Sequence, residues 1–185
     1  FCLSRGLGDV YKRQSMDMAV AVAFTTAADN ITFATANIEL GDGDNLNVDT
    51  GATGGDITIG GSILAVSNET VTLDAGTGTT SVGVIGNAAE IGALTIGSAE
   101  NGGITLNGAI VTDGAVTIDG PVTLATGAVS VTTANDAITF NHTIDGGQTL
   151  TLVSGTAATA LQGELGGTTP LGGLTVTASG NTTFS

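Results

Sequence analysis

Short runs of an apolar residue, a threonine and a second apolar residue constrain the fold of this chain more than any other feature. The most regular stretch, residues 102–127, reads GGITLNGAIVTDGAVTIDGPVTLATG. Its four β-type runs begin six residues apart, at Ile104, Ile110, Val116 and Val122. In three of them a central threonine separates two apolar residues, which places the hydroxyl on one face of a pleated strand and the apolar side chains on the other. Each run is therefore predicted to be a short, half-buried β-strand.

The same runs recur outside this stretch at intervals that indicate a solenoid. Further examples begin at Ile31, Ile57, Val71, Leu94, Ile138, Leu150 and Leu174. Steps between the strands that start at Leu46, Val71, Leu94, Val122, Leu150 and Leu174 are 25, 23, 28, 28 and 24 residues, which gives a period near 26. A longer internal similarity, or echo, relates the sequence of residues 86–96 to that of residues 166–176, which lie 80 positions later. Repetition on this scale is typical of solenoids.

The predicted fold is all-β: a single-stranded parallel β-helix, or β-solenoid, of about six or seven coils. Glycine, Asn and Asp crowd the intervals between runs, as at Asp42-Gly43, Asn107-Gly108, Asp113-Gly114 and Asp145-Gly146, where corners requiring positive φ are expected. Asn-Gly and Asp-Gly are also strong hairpin signals, so an antiparallel sandwich or meander is the alternative. The six-residue rhythm of residues 102–127 also fits, locally, a left-handed hexapeptide β-helix.

The N-terminal residues differ from the rest of the chain. Residues 4–14, SRGLGDVYKRQ, resemble the translated sequence of a transposon-based sequencing adapter over eleven consecutive positions. Residues 1–14 are therefore interpreted as a non-native tail. The β-helix domain is assigned to residues 15–185 and is interpreted as a fragment of a longer protein, because both of its ends fall at arbitrary points of the repeat.

Outside the tail, the chain contains acidic side chains and no Lys or Arg. The sequence carries 17 acidic residues, and all three basic ones, Arg5, Lys12 and Arg13, lie in the tail. Residues 15–185 thus hold 16 acids (17 less Asp9) and no Lys or Arg. Recognition of phosphates requires cationic side chains, so nucleic acid and anionic membranes are excluded as favoured partners. No apolar run approaches the roughly 18 residues that span a bilayer, so no membrane span is expected.

Tracts such as residues 150–185, LTLVSGTAATALQGELGGTTPLGGLTVTASGNTTFS, resemble the β-strand repeats of filamentous haemagglutinin-type and autotransporter-like bacterial surface proteins. The resemblance covers most of residues 29–185. It implies a right-handed β-helical stalk that is exported to the bacterial cell surface or secreted and acts in adhesion. Partners implied by it are surface glycans or proteins of other cells or of a matrix, besides neighbouring coils of the same long protein.

Few residues of the chain are candidates for binding a metal ion or for catalysis. The densest acidic cluster, residues 41–45 with Asp49, offers the carboxylates of Asp42, Asp44 and Asp49 as calcium candidates. The cluster matches neither the calcium-binding nonapeptide nor the EF-hand loop, so a solvated acidic corner is the favoured interpretation, with no cofactor.

His142 is the only histidine and is expected at a solvent-facing strand end. A polysaccharide-processing β-helix enzyme is an alternative function, and so is a calcium-stabilised binding module. Because residues 15–185 contain no Arg, Lys, Tyr or Trp to complete a glycan-cleaving site, we expect no enzymatic activity.

Overall fold

The computed structural model of the protein describes residues 21–86, 91–97, 102–178 and 180–185. The predicted non-native tail, residues 1–14, and the first residues of the predicted domain lie outside these ranges. The described ranges contain twenty strands: β1 Val22–Thr25, β2 Ile31–Phe33, β3 Ile38–Leu40, β4 Leu46–Asp49, β5 Ile57–Ile59, β6 Ile63–Ala65, β7 Val71–Asp74, β8 Thr80–Val82, β9 Leu94–Gly97, β10 Ile104–Leu106, β11 Ile110–Thr112, β12 Val116–Asp119, β13 Val122–Leu124, β14 Val129–Thr133, β15 Ile138–Phe140, β16 Ile144–Asp145, β17 Thr149–Gly155, β18 Thr159–Leu161, β19 Gly173–Ala178 and β20 Thr182–Phe184.

The strands stack as a parallel β-solenoid of about seven turns with three sides. The first sheet has eight strands, in the order β1-β4-β7-β9-β12-β15-β18-β20. The second sheet has six, in the order β2-β5-β8-β10-β13-β16. The third sheet consists of β3-β6 and β11-β14-β17-β19, joined by single bridges from Ile85 to Ile63 and Ile110. No part of the chain that the structure describes is helical.

Neighbouring strands are parallel throughout, which confirms the predicted fold class and contradicts the antiparallel alternative. Val116 pairs with Leu94 of the preceding turn and Ile138 of the following one. Each strand therefore hydrogen-bonds to the equivalent strand about one turn away in sequence, and no hairpin partner is needed. The handedness implied by the family resemblance stays a prediction.

The period inferred from sequence needs correction. Successive strands of the first sheet pair at steps of 21 to 25 residues, from Val22 with Leu46 to Thr159 with Thr182. The predicted series that ran from Leu94 to Val122 and Leu150 was wrong, because these residues lie in the first, second and third sheets. The echo at an offset of 80 likewise relates β9 in the first sheet to β19 in the third. All three sides use the same apolar-Thr-apolar pattern, so sequence similarity alone does not identify the side.

The regular stretch at residues 102–127 forms slightly more than one turn. Its four strands, β10 to β13, occupy the second, third, first and second sheets in succession. Ile104 pairs with Val122, which is 18 residues later and closes one turn of three six-residue units. The six-residue spacing thus arises because each side contributes one strand to this turn, which is the shortest turn of the solenoid.

The core is a thin column of aliphatic side chains that point inward from all three sheets. Most inward positions of the interior turns are less than 2 % exposed, and Phe140 is the largest of these side chains. Several buried hydroxyls lie at or next to the ends of strands and donate to nearby backbone carbonyls. Thr50 Oγ1 donates to the Gly55 carbonyl at 2.7 Å, and Thr112 Oγ1 donates to the Gly114 carbonyl at 2.6 Å. Within the described ranges, no buried side-chain nitrogen or oxygen lacks a hydrogen-bond partner.

Positive φ explains only some of the predicted corners. Gly43 and Gly146 adopt φ values of 83° and 124°, as predicted for Asp42-Gly43 and Asp145-Gly146. Gly108 and Gly114 do not lie in this region, so the prediction was wrong there. At these corners the adjacent turn approaches the glycine closely: a Cβ on Gly108 would lie 3.0 Å from the carbonyl carbon of Gly83. Glycine is required there for space between turns rather than for its dihedral freedom.

Asn and Asp side chains at several corners link one turn to the next. Asn45 Oδ1 accepts hydrogen bonds from the backbone N–H and the hydroxyl of Thr70, both at 2.8 Å. Asp56 Oδ1 accepts the same pair of bonds from Thr79, at 2.8 and 2.7 Å. Similar acceptors are Asn30, Asn37, Asn135 and Asp145, each bonded to a backbone N–H 21 to 26 residues later. Four of the satisfied backbone donors lie directly before strands, namely those of Asp56, Ser62, Thr70 and Thr79. The sequence interpretation missed these bonds.

The Asp56 corner predicts a specific dependence of stability on pH. Hydrogen bonds from the backbone and the side chain of Thr79 lower the pKa of Asp56 below its usual 3.8. A carboxyl group whose pKa is lower in the folded state stabilises that state above its unfolded pKa and loses this contribution as pH falls through the folded value. We therefore expect Asp56→Asn, which keeps an acceptor but does not titrate, to flatten the acid limb of the urea midpoint measured from about pH 7 to about pH 2.

A second variant separates the two hydrogen bonds. Thr79→Val removes the hydroxyl donor and keeps the backbone N–H, so it should reduce the acid sensitivity only in part. An unchanged acid limb in Asp56→Asn would show that the Thr79 bonds do not couple folding to the charge of Asp56.

Candidate interaction surface

Outward threonines form an aligned column on the first sheet. Thr72, Thr95, Thr117 and Thr139 pair directly in register across β7, β9, β12 and β15. All four side chains are half-buried, and their neighbours in the strands are buried. Among the described residues, no side-chain hydrogen bond involves these four hydroxyls. The column therefore presents donors and acceptors at the strand spacing of about 4.8 Å.

A second column runs along the second sheet. It consists of Thr32, Thr58, Ser81, Thr105 and Thr123, which pair in register across β2, β5, β8, β10 and β13. Ser81 Oγ also accepts a hydrogen bond from the Asn107 amide at 3.1 Å. Parallel stacking without offset turns a three-residue pattern into a continuous line of hydroxyls. The sequence pattern predicted the four threonines of this column, whereas Ser81 lies outside the pattern.

The third sheet has a less polar outer face. Ser130, Thr151 and Thr175 form one outward row over β14, β17 and β19. The neighbouring row mixes hydroxyl and apolar groups, with Val153 between Thr132 and Thr177. This side thus offers methyl groups and hydroxyls without charge over its last three strands.

Acidic residues are concentrated in the first turns. Of the 13 acids among the described residues, ten precede residue 120, and Asp136, Asp145 and Glu164 follow it. Asp49 and Asp74 pair in register, and the carboxylate of each accepts the backbone N–H two residues later, at 2.7 and 2.8 Å. The solenoid therefore carries a gradient of negative charge along its axis, and the end formed by residues 165–185 has no ionisable side chain.

The three calcium candidates occupy different parts of one turn. Asp42 and Asp44 lie in the connection between β3 and β4, whereas Asp49 is the last residue of β4. Asp42 Oδ1 accepts a hydrogen bond from the Ser67 hydroxyl at 2.9 Å, and Asp44 is buried. No group of three or more His, Cys, Asp or Glu side chains in the described ranges is arranged to hold a metal ion. Calcium binding by Asp42, Asp44 and Asp49 stays a prediction that calorimetric titration would test.

Glu69 completes this acidic corner and was missed by sequence reasoning. Its side chain is only 1 % exposed. The carboxylate accepts the backbone N–H groups of Gly43 at 3.0 Å and Ser67 at 2.7 Å, so it joins two successive turns. Hydrogen bonding of this kind offsets the loss of hydration that burial of a carboxylate costs. The corner therefore has a structural role that its composition alone does not reveal.

His142 lies two residues after the end of β15, at a half-exposed position as expected. Its Nε2 atom is 3.4 Å from Oδ1 of Asp119, the last residue of β12 in the preceding turn. Both side chains are 33 % exposed. A half-exposed pair of this kind links two turns at their surface and contributes little to stability.

In comparisons with known proteins, no family model, no curated protein and no solved structure matches the chain. A search of the described residues found no helix long and apolar enough to cross a membrane.

Proposed function

We propose that the chain is a structural and adhesive repeat segment of a large secreted or cell-surface bacterial protein. In this role it acts as a stalk and as an interaction surface in cell or biofilm adhesion, without catalysis. The observation that supports the proposal most directly is the alignment of outward hydroxyls in columns on the first and second sheets.

A stack of about seven turns at about 4.8 Å each makes a rod of roughly 30 Å. Each added turn extends the rod and its three outer faces, because successive turns pair on the same three sides. Solenoids gain length in this way without changing their cross-section, and their long faces serve as extended binding surfaces. This geometry suits a spacer that also carries binding contacts along its length.

The chemistry of the columns favours partners that repeat and carry no strong negative charge. Hydroxyls both donate and accept hydrogen bonds, as do the hydroxyls of glycans. A single contact is weak, but aligned contacts with a polymer act together and raise the avidity. Surface glycans and matrix proteins of other cells are therefore the proposed partners, and the absence of Lys and Arg from residues 15–185 argues against polyanions.

The test compares two triple variants of the first-sheet column. Thr95→Val, Thr117→Val and Thr139→Val together remove three hydroxyls and keep the shape and strand preference of the side chains. The matched Thr→Ser variant keeps the hydroxyls. Biolayer interferometry against immobilised neutral polysaccharides and fibronectin should show binding by wild type, a loss of several-fold in the valine variant and retention in the serine variant.

Two results would contradict the proposal. Wild-type chain that binds none of these surfaces would remove the basis for an adhesive role. Equal binding by the valine and wild-type chains would show that the column does not carry the interaction. Circular dichroism of all variants shows whether each is folded, so that a loss of binding can be distinguished from a loss of folding.

A further inference from the structure

Four positions of the chain carry the acceptor motif for N-linked glycosylation, Asn-X-Ser/Thr, in which X is not proline. The motifs begin at Asn30, Asn68, Asn141 and Asn181. A sugar is added to such an asparagine where its side chain stands on a surface loop that a transferase can reach. The surroundings of each asparagine in the fold therefore decide whether it can serve as an acceptor.

Three of the four asparagines are held by hydrogen bonds to a neighbouring turn. Asn30 Oδ1 accepts the backbone N–H of Asp56 at 2.7 Å. Asn141 is half-buried, and its backbone N–H donates to a carbonyl of the preceding turn at 3.0 Å. The Asn181 carbonyl accepts the backbone N–H of Thr159 at 2.9 Å. A transferase that draws one of these asparagines into its own cleft has to disturb these bonds.

Asn68 makes no such bond. It lies in the connection between β6 and β7, and its side chain is exposed. Within the described ranges it forms no hydrogen bond through either its side chain or its backbone. Its φ of 32° is a left-handed conformation that asparagine tolerates better than most residues. The Asn68 amide can therefore be approached at this turn without the loss of a hydrogen bond between turns.

Glu69 and Thr70 complete the motif and orient it. Glu69 is 1 % exposed, and its carboxylate accepts the backbone N–H groups of Ser67 and of Gly43 in the preceding turn. Its side chain therefore points inward, whereas Asn68 and Thr70 on either side of it are exposed. The Thr70 hydroxyl donates to the preceding turn at 2.8 Å, so its oxygen can still accept a hydrogen bond. The two residues that define the motif thus lie together at the surface.

We infer that Asn68 is a glycosylation site, the acceptor for a neutral sugar on the folded chain. In this reaction the Asn68 Nδ2 atom attacks the anomeric carbon of a hexose activated as a nucleoside-diphosphate sugar. A bond forms between nitrogen and carbon, the bond from the anomeric carbon to the diphosphate oxygen breaks, and the nucleoside diphosphate leaves with the electron pair. The amide loses one proton and keeps the other, and nothing is oxidised or reduced.

The acidic surroundings of Asn68 favour a neutral sugar over an acidic one. The preceding residue, Ser67, donates its hydroxyl to Asp42 Oδ1 at 2.9 Å, and the buried Glu69 follows Asn68 directly. A sugar acid at Asn68 would bring a further negative charge to this corner and would be repelled. The inference does not depend on the adhesive role, because it rests on the exposure and the hydrogen bonding of one motif.

The experiment measures transfer of glucose to the purified complete chain. The folded protein is incubated with UDP-glucose and a soluble N-glycosyltransferase specific for the motif, and intact mass with peptide mapping gives the number and positions of added hexoses. Rates are divided by those on synthetic peptides of the four motifs, which separates selection by the fold from the sequence preference of the enzyme. We expect one hexose, at Asn68. Asn68→Asp keeps the size and the tolerance for positive φ but lacks the amide nitrogen, so it should accept none there.

Two variants of Thr70 provide the matched pair. Thr70→Ser keeps the motif and should be modified like wild type, whereas Thr70→Val removes the hydroxyl and should lower transfer to Asn68 by about a hundredfold or more. Absence of glucose at Asn68 of the folded wild-type chain would overturn the inference. Modification of another motif as fast as Asn68, relative to the peptides, would also overturn it, as would equal transfer to Thr70→Val and wild type. Circular dichroism checks that the variants are folded, and Asn68→Asp tests the site even where Thr70→Val fails to fold.

Discussion

Gly102→Ala is expected to destabilise the protein by about 3 kcal/mol or more, whereas the same change at the next residue should cost almost nothing. A Cβ on Gly102 would lie 2.7 Å from the carbonyl oxygen of Gly76 and closer still to that of Gly78, both in the preceding turn. Backbone atoms of a stacked turn cannot move aside without breaking the ladder, so the methyl group must displace the turn itself. Urea denaturation followed by far-ultraviolet circular dichroism measures the difference.

Gly103→Ala is the matched control. The nearest atom to its added Cβ would be Cγ2 of Thr79, at 3.8 Å, which is ordinary contact. Neither glycine has a positive φ, so the two variants differ in space between turns and not in backbone strain. We expect Gly103→Ala to stay within about 1 kcal/mol of wild type, on either side. Similar midpoints for the two variants would contradict the close stacking of this corner.

Phe140→Ala should cost about 3 to 5 kcal/mol, because it leaves a cavity the size of a phenyl ring in a core one side chain thick. Phe140 is 0 % exposed and is in register with Ile118 and Leu161. Neighbouring turns cannot collapse into the space while their backbones remain hydrogen-bonded on both sides. Denaturation of the variant should show a lower midpoint, and a broader transition where the turns on either side unfold separately.

The same substitution at Phe184 provides the comparison. Phe184 lies in the same column but is 57 % exposed, so its removal loses little burial and leaves no enclosed cavity. At low protein concentration we expect Phe184→Ala to shift the free energy of unfolding by less than about 1 kcal/mol. Equal losses at the two positions would show that the last turn is as well packed as the interior.

Much of the architecture followed from the sequence because its pattern is short and local. The apolar-Thr-apolar runs identified strands such as β5, β7 and β12, and their number and spacing indicated parallel stacking. The assignment of strands to sides failed after Leu94, since a strand of the first sheet and one of the second read alike. Only the pairing of Val116 with Leu94 and Ile138 resolves this ambiguity.

The corner residues show a second limit. Asn45 and Asp56 each stand directly before a strand, and a threonine stands there one turn later, at Thr70 and Thr79. That recurrence was a readable signal for hydrogen bonds between turns. Glu69 gave no such signal, because its partner Gly43 is 26 residues away and contributes only a backbone N–H.

By itself, the sequence determined the class of the fold, the residues that face inward and the absence of cationic side chains from the body of the protein. These properties depend on residue type and on alternation over three positions, which are local. The tertiary structure decided which strands share a sheet, which glycines are needed for space and how the hydroxyls align in columns. Those properties depend on contacts between residues 18 to 26 positions apart, and such contacts are fixed only when one turn lies on the next.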